Sequence, residues 1–344
     1  MKTLDIYGGS GDSFIHVGET LQNLGKYIPS ENIVLITDKN VKRFYEKDFP
    51  THPIITIDTG EKIKTLDTVR RIYEKLVDIG ADRSTFIVGI GGGIVCDISG
   101  FVASTFLRGV RFGFVSSTLL SQVDASVGGK NGVNFKDYKN MVGLFNQPEF
   151  VICDLNLLNT LPKREIMCGM AEIVKHAAIG DAKLFAYLET HYQDALDLDN
   201  EVIEKLVYDS IVIKSAIVNQ DELEKGERRK LNFGHTFGHA FEKTAGIPHG
   251  EAVSVGMVVA SQLSSKRGIL SIKEAQRIET LLQKIGLPVT IQTKGKPVLD
   301  ALKKDKKRKE NLIYFVLLNA IGNAVVDEIS IAELETVIAH FGFD

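Results

Sequence analysis

Hydrophobic and polar positions follow two rhythms over the first 150 residues. Short apolar, β-branched runs recur: Ile33 to Ile36, Ile54 to Ile57, Thr85 to Val88 and Val110 to Ser116. The first closes at Thr37-Asp38 and the second at Asp58-Thr59-Gly60. Between the runs lie stretches with a helical repeat. Lys62 to Leu76 sets Ile63, Val69, Ile72 and Leu76 on one side, and Ile94 to Ala103 follows a glycine-rich turn. Strand, turn and helix at this pace predict a parallel α/β layer. MKTLDIYGG at the N-terminus reads as a short strand and a turn. From Arg164 onward the rhythm is helical: Arg164 to Ile179, Lys183 to Leu188, Glu201 to Asn219, Arg228 to Thr244, Glu251 to Lys266, Lys273 to Ile285 and Ile331 to His340, with one late strand over Leu312 to Leu318. The expected fold is an α/β N-terminal domain with a Rossmann-like parallel sheet, residues 1–154, followed by a mainly α-helical C-terminal domain, residues 155–344.

Composition narrows the function. A chain of 344 residues suits two domains. With 44% hydrophobic and 25% charged residues it is an ordinary globular protein, and no stretch approaches a membrane span. The formal net charge of -3 argues against nonspecific nucleic-acid binding as the main role, because phosphate backbones reward an excess of Lys and Arg. Cys96, Cys153 and Cys168 are an odd, widely spaced set that fits neither a disulfide framework nor a zinc knuckle. Together with an N-terminus lacking a signal-type apolar run, they lead us to expect a cytoplasmic protein.

Gly89-Ile90-Gly91-Gly92-Gly93 follows a strand and opens a helix. Glycine permits positive φ and close backbone approach, and a helix N-terminus offers free N–H groups to a phosphate. The spacing is not GxGxxG, so a dinucleotide cradle and a plain tight turn both fit. Asp97, four residues beyond Gly93, could accept bonds from a ribose or nicotinamide. Asp58, Glu61 and Lys64 stand at a strand end and a helix opening, where they read equally as ribose and phosphate ligands or as acidic residues answering a helix dipole.

RRKLNFGHTFGHAFEKTAGIPHGE, Arg228 to Glu251, carries the strongest signal. Arg228, Asn232, His235 and His239 are spaced four, three and four, which predicts one face of one helix. His249 follows at the start of the next helical stretch, so three of the eight histidines fall within fifteen residues. A catalytic metal takes three protein ligands and keeps one position open. Two histidines and a carboxylate would serve, and Glu172, three residues before Lys175 in a small apolar helix, is either that carboxylate or a surface residue. HxxxH here lacks the Glu of HExxH, so peptide hydrolysis is unsupported. A second cluster, Arg108, Asp124, Lys130, Lys139 and Asn140, lies in a stretch rich in Ser and Gly. Gly128-Gly129-Lys130 could cradle an anionic oxygen, or the stretch from Ser116 to Pro148 could be a surface loop with solvated lysines.

GGGIVCDISGFVAS, FLRG, STLLSQVDASVGGKNGVN, KNMVG, CGMAEIVKH, LNFGHTFGHA and PHGEAV, in this order, resemble the 3-dehydroquinate synthases of the sugar phosphate cyclase superfamily over most of the chain. The resemblance implies NAD+ and one divalent metal, zinc or cobalt, held by Glu172, His235 and His249. It implies a substrate site of Arg108, Asp124, Lys130, Asn140, Lys175, Lys214, Arg228, Asn232, His239 and Lys306. The implied NAD residues are Asp38, Glu61, Lys64, Gly92, Gly93, Asp97, Ser117, Thr118, Lys130 and Lys139. Departures are modest: Ser116-Ser117-Thr118 replaces Pro-Thr-Thr, Cys96 a Gly, Asn131 a Thr and Glu310 a Gly. The implied enzyme is a phosphate-eliminating lyase acting on a phosphorylated sugar acid, 3-deoxy-D-arabino-heptulosonate 7-phosphate. It would work through transient oxidation at C5, phosphate loss, re-reduction, ring opening and aldol closure, with His239 moving the C5 hydroxyl proton. The resemblance further implies a homodimer without nucleic-acid or membrane partners. The competing readings are a sister cyclase making another cyclitol, a metal-dependent polyol dehydrogenase and a nonenzymatic metal- or nucleotide-binding protein.

Overall fold

The computed structural model describes residues 1–136, 138–303, 308–309 and 312–340. The elements of the first half run β1 (Lys2–Gly8), β2 (Gly11–Val17), β3 (Ile33–Asp38), α1 (Lys39–Tyr45), β4 (Ile54–Ile57), α2 (Leu66–Ile79), β5 (Phe86–Gly91), α3 (Gly93–Thr105), β6 (Arg111–Ser116), β7 (Lys130–Phe135), β8 (Tyr138–Phe145) and β9 (Phe150–Cys153). Then come α4 (Lys163–Gly180), α5 (Ala182–Leu196), α6 (Asn200–Gln220), α7 (His235–Ala245), α8 (His249–Lys266), α9 (Ile272–Ile285), α10 (Gly295–Lys303), β10 (Arg308–Lys309), β11 (Leu312–Ala320), β12 (Asn323–Ser330) and α11 (Ile331–His340). The chain forms two compact units: Met1–Glu165 with Ile203–Glu222, and Ile166–Val202 with Leu223–Asp344.

The first unit is built on a seven-stranded sheet in the order β1-β2-β9-β6-β5-β3-β4. All neighbours pair in parallel except β1 with β2. The central strands β5 and β9 are buried along their whole length, as expected where a parallel sheet is covered on both faces. Their β-branched and aromatic residues join Leu21, Leu24, Leu35, Phe86, Val115, Phe150 and Ile152 in one core. The chain runs from β3 outward to β4 and returns to β5 on the other side of β3. The C-terminal ends of β3 and β5 therefore form a topological switch point, where ligands of such sheets bind. The Thr37 hydroxyl ties the two strand ends by donating to the Ile90 carbonyl at 2.8 Å.

Several sequence expectations are adjusted. The helix expected from Lys62 starts at Leu66, because the Thr65 hydroxyl accepts the Thr68 amide at 3.3 Å and caps it. It stops at Gly80, whose φ of 77° suits a left-handed C-terminal cap. The stretch from Ser116 to Pro148, read as either an anion cradle or a surface loop, contains a β7–β8 hairpin. Strands β2 and β9, which the hydrophobic runs did not single out, pair with each other inside the main sheet.

The second unit combines helices α4, α5 and α7 to α11 with a small antiparallel sheet in the order β10-β11-β12. The expected late strand is β11, and its partner β12 is an addition. Ser264 of α8 accepts the Leu318 amide of β11 at 3.0 Å, fixing helix on sheet. The helix expected over Arg228 to Thr244 is broken. Residues Glu227–Asn232 form a 3-10 turn, Gly234 turns left-handed at φ 77°, and only then does α7 begin. Arg228 and Asn232 therefore do not share a helical face with His235 and His239. Among the described residues no helix is long and apolar enough to cross a membrane.

Candidate metal centre and nucleotide cradle

Three helices of the second unit meet through glycines. A Cβ on Gly256 of α8 would lie 1.9 Å from the Gly234 carbonyl oxygen, and one on Gly238 of α7 would lie 3.2 Å from Val253 Cα. A Cβ on Gly250 would lie 2.4 Å from Cys168 Cα of α4. Only glycine admits backbones this close. The close approach gathers residues far apart in sequence. Glu172 lies on α4, His235 is the first residue of α7 and His249 the first of α8. Their ligand atoms all lie within 4.8 Å of one another. The Glu172 Oε1 atom is 3.2 Å from His249 Nε2 and 3.5 Å from His235 Nε2.

The Glu172 side chain is wholly buried, and the equally buried Lys175, three residues on, forms an ion pair with it. A charged pair is costly to bury without further compensation. Burial pushes the His249 ring pKa down, but its contacts with Glu172 and with Glu242 outweigh this and raise it to about 10. Two imidazoles and one carboxylate, converging and sheltered, are the donor set of a catalytic zinc site with room for a substrate oxygen. The residues present thus fit a divalent cation. His239 stands beside them, its ring centroid 5.3 Å from that of His235, and it is exposed. Arg228 is buried, while the next residue, Arg229, stacks on Tyr314 at 3.8 Å. The Asn232 amide donates to Glu224 at 2.6 Å. Lys306 lies outside the described residues.

In the first unit the glycine turn opens α3 at the switch point. Gly91, Gly92 and Gly93 have no positive φ, so conformational freedom is not their use. What they allow is close approach: a Cβ on Gly92 would be 2.9 Å from Thr118 Cγ2, and one on Gly93 would be 2.9 Å from Ala125 Cβ. No side chain caps α3 at Gly92, so its first amides are not taken up by a capping side chain, as an anion-binding helix N-terminus requires. Ser117 and Thr118 lie beside the turn, with the Ser117 amide donating to the Gly91 carbonyl at 2.9 Å. Buried Lys64 binds both Asp97 of α3 and the Asn140 side-chain oxygen, the latter at 2.5 Å. Packing around Asp97 raises its carboxyl above the ordinary range despite the Lys64 cation. Glu61 accepts from the Asn134 amide at 2.8 Å. Asp38 caps α1 by accepting the Asn40 and Val41 amides at 2.8 and 3.0 Å.

Lys214 of α6 binds the Asp124 carbonyl and carboxylate, each at 2.5 Å, a pairing across ninety residues. Arg108 and Asn140 both hold left-handed backbone, at φ 71° and 50°, a strained state for non-glycine residues that is often found at ligand sites. Lys130 and Lys139 are exposed on the β7–β8 hairpin. Glu242, which the sequence reading passed over, reaches His249 Nδ1 to within 3.4 Å. Its spacing was readable: His235, His239 and Glu242 fall at i, i+4 and i+7 on α7.

The chain is similar to known proteins along almost its whole length. The family model described as 3-dehydroquinate synthase N-terminal matches residues 54–168, and the one described as 3-dehydroquinate synthase C-terminal matches residues 169–308. A 3-dehydroquinate synthase of Thermoanaerobacter pseudethanolicus is 41% identical over 339 residues, covering 95% of this chain and 94% of the relative. Among solved structures, a 2-deoxy-scyllo-inosose synthase complexed with carbaglucose-6-phosphate, NAD+ and Co2+ superposes with a TM-score of 0.89 at 27% identity, covering 99% of this chain and 100% of that one. A 2-epi-5-epi-valiolone synthase from Streptomyces hygroscopicus with NAD+ and Zn2+ bound gives 0.89 at 26% identity, covering 99% of each. With a parallel-sheet unit whose glycine turn opens a helix, a converging Glu-His-His triad and a 41% identical relative along almost the whole length, the chain belongs to the 3-dehydroquinate synthase family.

Proposed function

We propose that this protein converts 3-deoxy-D-arabino-heptulosonate 7-phosphate to 3-dehydroquinate and phosphate, with NAD+ and one divalent cation, zinc or cobalt. The observation that carries the proposal is the convergence of Glu172, His235 and His249 in a chain of this family. The two groups, when bound, supply reversible hydride acceptance and polarisation of the substrate's hydroxyls, so that NAD+ is regenerated and the net reaction is a lyase. Glu172, His235 and His249 would hold the cation. Asp38, Glu61, Lys64, Gly92, Gly93, Asp97, Ser117, Thr118, Lys130 and Lys139 would hold the dinucleotide, its pyrophosphate at the start of α3.

The substrate residues in this reading are Arg108, Asp124, Lys130, Asn140 and Lys214 of the first unit, with Lys175, Arg228, Asn232 and His239 of the second, and Lys306. The Arg guanidinium forks and the Lys ammonium charges suit carboxylate and phosphate. Asp124 and Asn232 would orient hydroxyls. His239, exposed next to the triad, would take and return the hydroxyl proton, work that an imidazole side chain can do. A cytoplasmic homodimer is part of the proposal.

The test is one assay of purified protein with NAD+, zinc or cobalt and the heptulosonate phosphate. Phosphate and dehydroquinate should appear in equal amounts, without net NADH, and chelation should stop both. Bound metal and NAD+ with no turnover would refute this substrate and direct the search to sister cyclases, for which sedoheptulose 7-phosphate is the next compound. Net NADH formation would instead indicate a polyol dehydrogenase.

A further inference from the structure

Each histidine of the triad has two ring nitrogens, and the structure shows where both point. Nε2 of His235 and Nε2 of His249 face Glu172 Oε1, so these are the atoms that would meet a cation. A neutral imidazole that offers Nε2 to a metal carries its proton on Nδ1, and that proton needs an acceptor which fixes the ring and strengthens its basicity. For His235 the acceptor is the Phe233 carbonyl, 3.1 Å from Nδ1. For His249, Nδ1 lies 3.4 Å from Glu242 Oε2. The Glu242 side chain is only 7% exposed, so its charge is sheltered from water. It stands two turns beyond His235 on the same face of α7. One helix thus supplies a ligand and also the support for a ligand on the next helix.

We infer that Glu242 is a positioning residue of the metal centre: its carboxylate accepts the Nδ1–H of His249 and holds the ring with Nε2 toward Glu172 and His235. The inference rests on the metal reading proposed above. His239, Glu242 and His249 could also be grouped as ligands of a cation of their own, their ligand atoms lying within 4.8 Å of one another. That use would need the Nδ1 lone pair while Nε2 is already turned to Glu172. A neutral ring has one lone pair and one N–H, so it cannot serve both.

The experiment compares wild-type protein with Glu242→Gln, Glu242→Ala, Glu242→Asp and Glu172→Ala. Zinc affinity is read by competition with a chromophoric chelator, and the visible absorption bands are read at saturating cobalt. We expect wild type to bind one cobalt ion and Glu172→Ala to lose it. Glu242→Gln and Glu242→Ala should bind zinc about 10- to 100-fold more weakly, the range seen when such supporting groups are removed. Their cobalt bands should shift even at saturation, a change in the ligand field that a loss of metal-free stability alone would not produce. Glu242→Asp, retaining a carboxylate, should recover part of the affinity. Wild-type affinity and bands in both Glu242→Gln and Glu242→Ala would overturn the role of Glu242 alone. A loss of affinity accompanied by an equal loss of metal-free stability, with unshifted bands, would assign Glu242 to packing and also overturn it. No cobalt uptake by wild type, or normal uptake by Glu172→Ala, would overturn the metal centre itself, and this inference with it.

Discussion

Gly250→Ala tests whether helix approach, rather than ligand identity alone, builds the metal centre. The added methyl would sit 2.4 Å from Cys168 Cα and 2.8 Å from both Cys168 Cβ and the Cys168 carbonyl oxygen. Carbon atoms rest about 3.5 to 4.0 Å apart, so α8 and α4 must separate by about 1 Å. The obstacle is backbone, which no rotamer change can move aside. Residue 250 adjoins His249, and Cys168 lies one turn before Glu172 on α4. The 3.2 Å between Glu172 Oε1 and His249 Nε2 would open by a similar amount. Metal sites tolerate distance errors of only about 0.2 Å. Overpacking of this kind costs about 1 to 3 kcal/mol. If the protein escapes that strain only by letting the helices part, the same energy is charged against metal binding, and affinity falls by about 5- to 150-fold. Metal-free stability should fall by no more than that strain. Zinc competition and a metal-free melting curve would measure both quantities. Gly25→Ala, where an added Cβ meets nothing within 4 Å, is the control. A Gly250→Ala protein that binds zinc within twofold of wild type would refute the reasoning.

Two further perturbations address the first unit. Burial pushes the Glu19 carboxyl up, but bonds from the Tyr27 hydroxyl, the Asn23 amide and the Thr20 backbone N–H outweigh it and hold the pKa at about 2, against 4.5 unperturbed. A depressed carboxyl stabilises the fold above its unfolded pKa, and that contribution is lost as pH falls from 4.5 toward about 2. It amounts to about 3 kcal/mol, so Glu19→Gln should lose less stability than wild type across that window; parallel melting-temperature curves would contradict this. Lys64→Met leaves the Asp97 carboxyl without its buried cation and should cost about 3 to 5 kcal/mol in urea denaturation. Lys64→Met with Asp97→Asn should recover part of that loss, and a double variant no more stable than the sum of its singles would argue against coupling of the pair.

The parallel sheet was legible because its strands are buried on both faces and so read as continuous apolar runs bounded by turn residues. Strand β2 escaped notice because Gly11–Val17 buries the polar Ser13 and exposes the apolar Phe14, so its hydrophobic positions do not mark its buried face. Helix ends depended on caps: Thr65 and Gly80 set α2 more sharply than its apolar period did. The period misled in one place. Arg228, Asn232, His235 and His239 keep helical spacing, yet Gly234 in the left-handed region breaks the helix, and its approach to Met257 and Val253 leaves no room for a side chain there.

The sequence by itself determined the chemistry available: two histidines four apart, a third opening a later helix, a carboxylate and lysine three apart in an apolar helix, and glycines at a strand end. Those are properties of spacing, and spacing is local. Which of these groups face one another was decided only by tertiary structure. Glu172 could be surface or ligand until Gly250 set α8 against α4, and His249 became a neighbour of His235 only where Gly234, Gly238 and Gly256 let α7 and α8 touch. Lys214 and Asp124, ninety residues apart, met in the same way. Contacts of this kind depend on the distance between packed backbones, which no periodicity along the chain encodes.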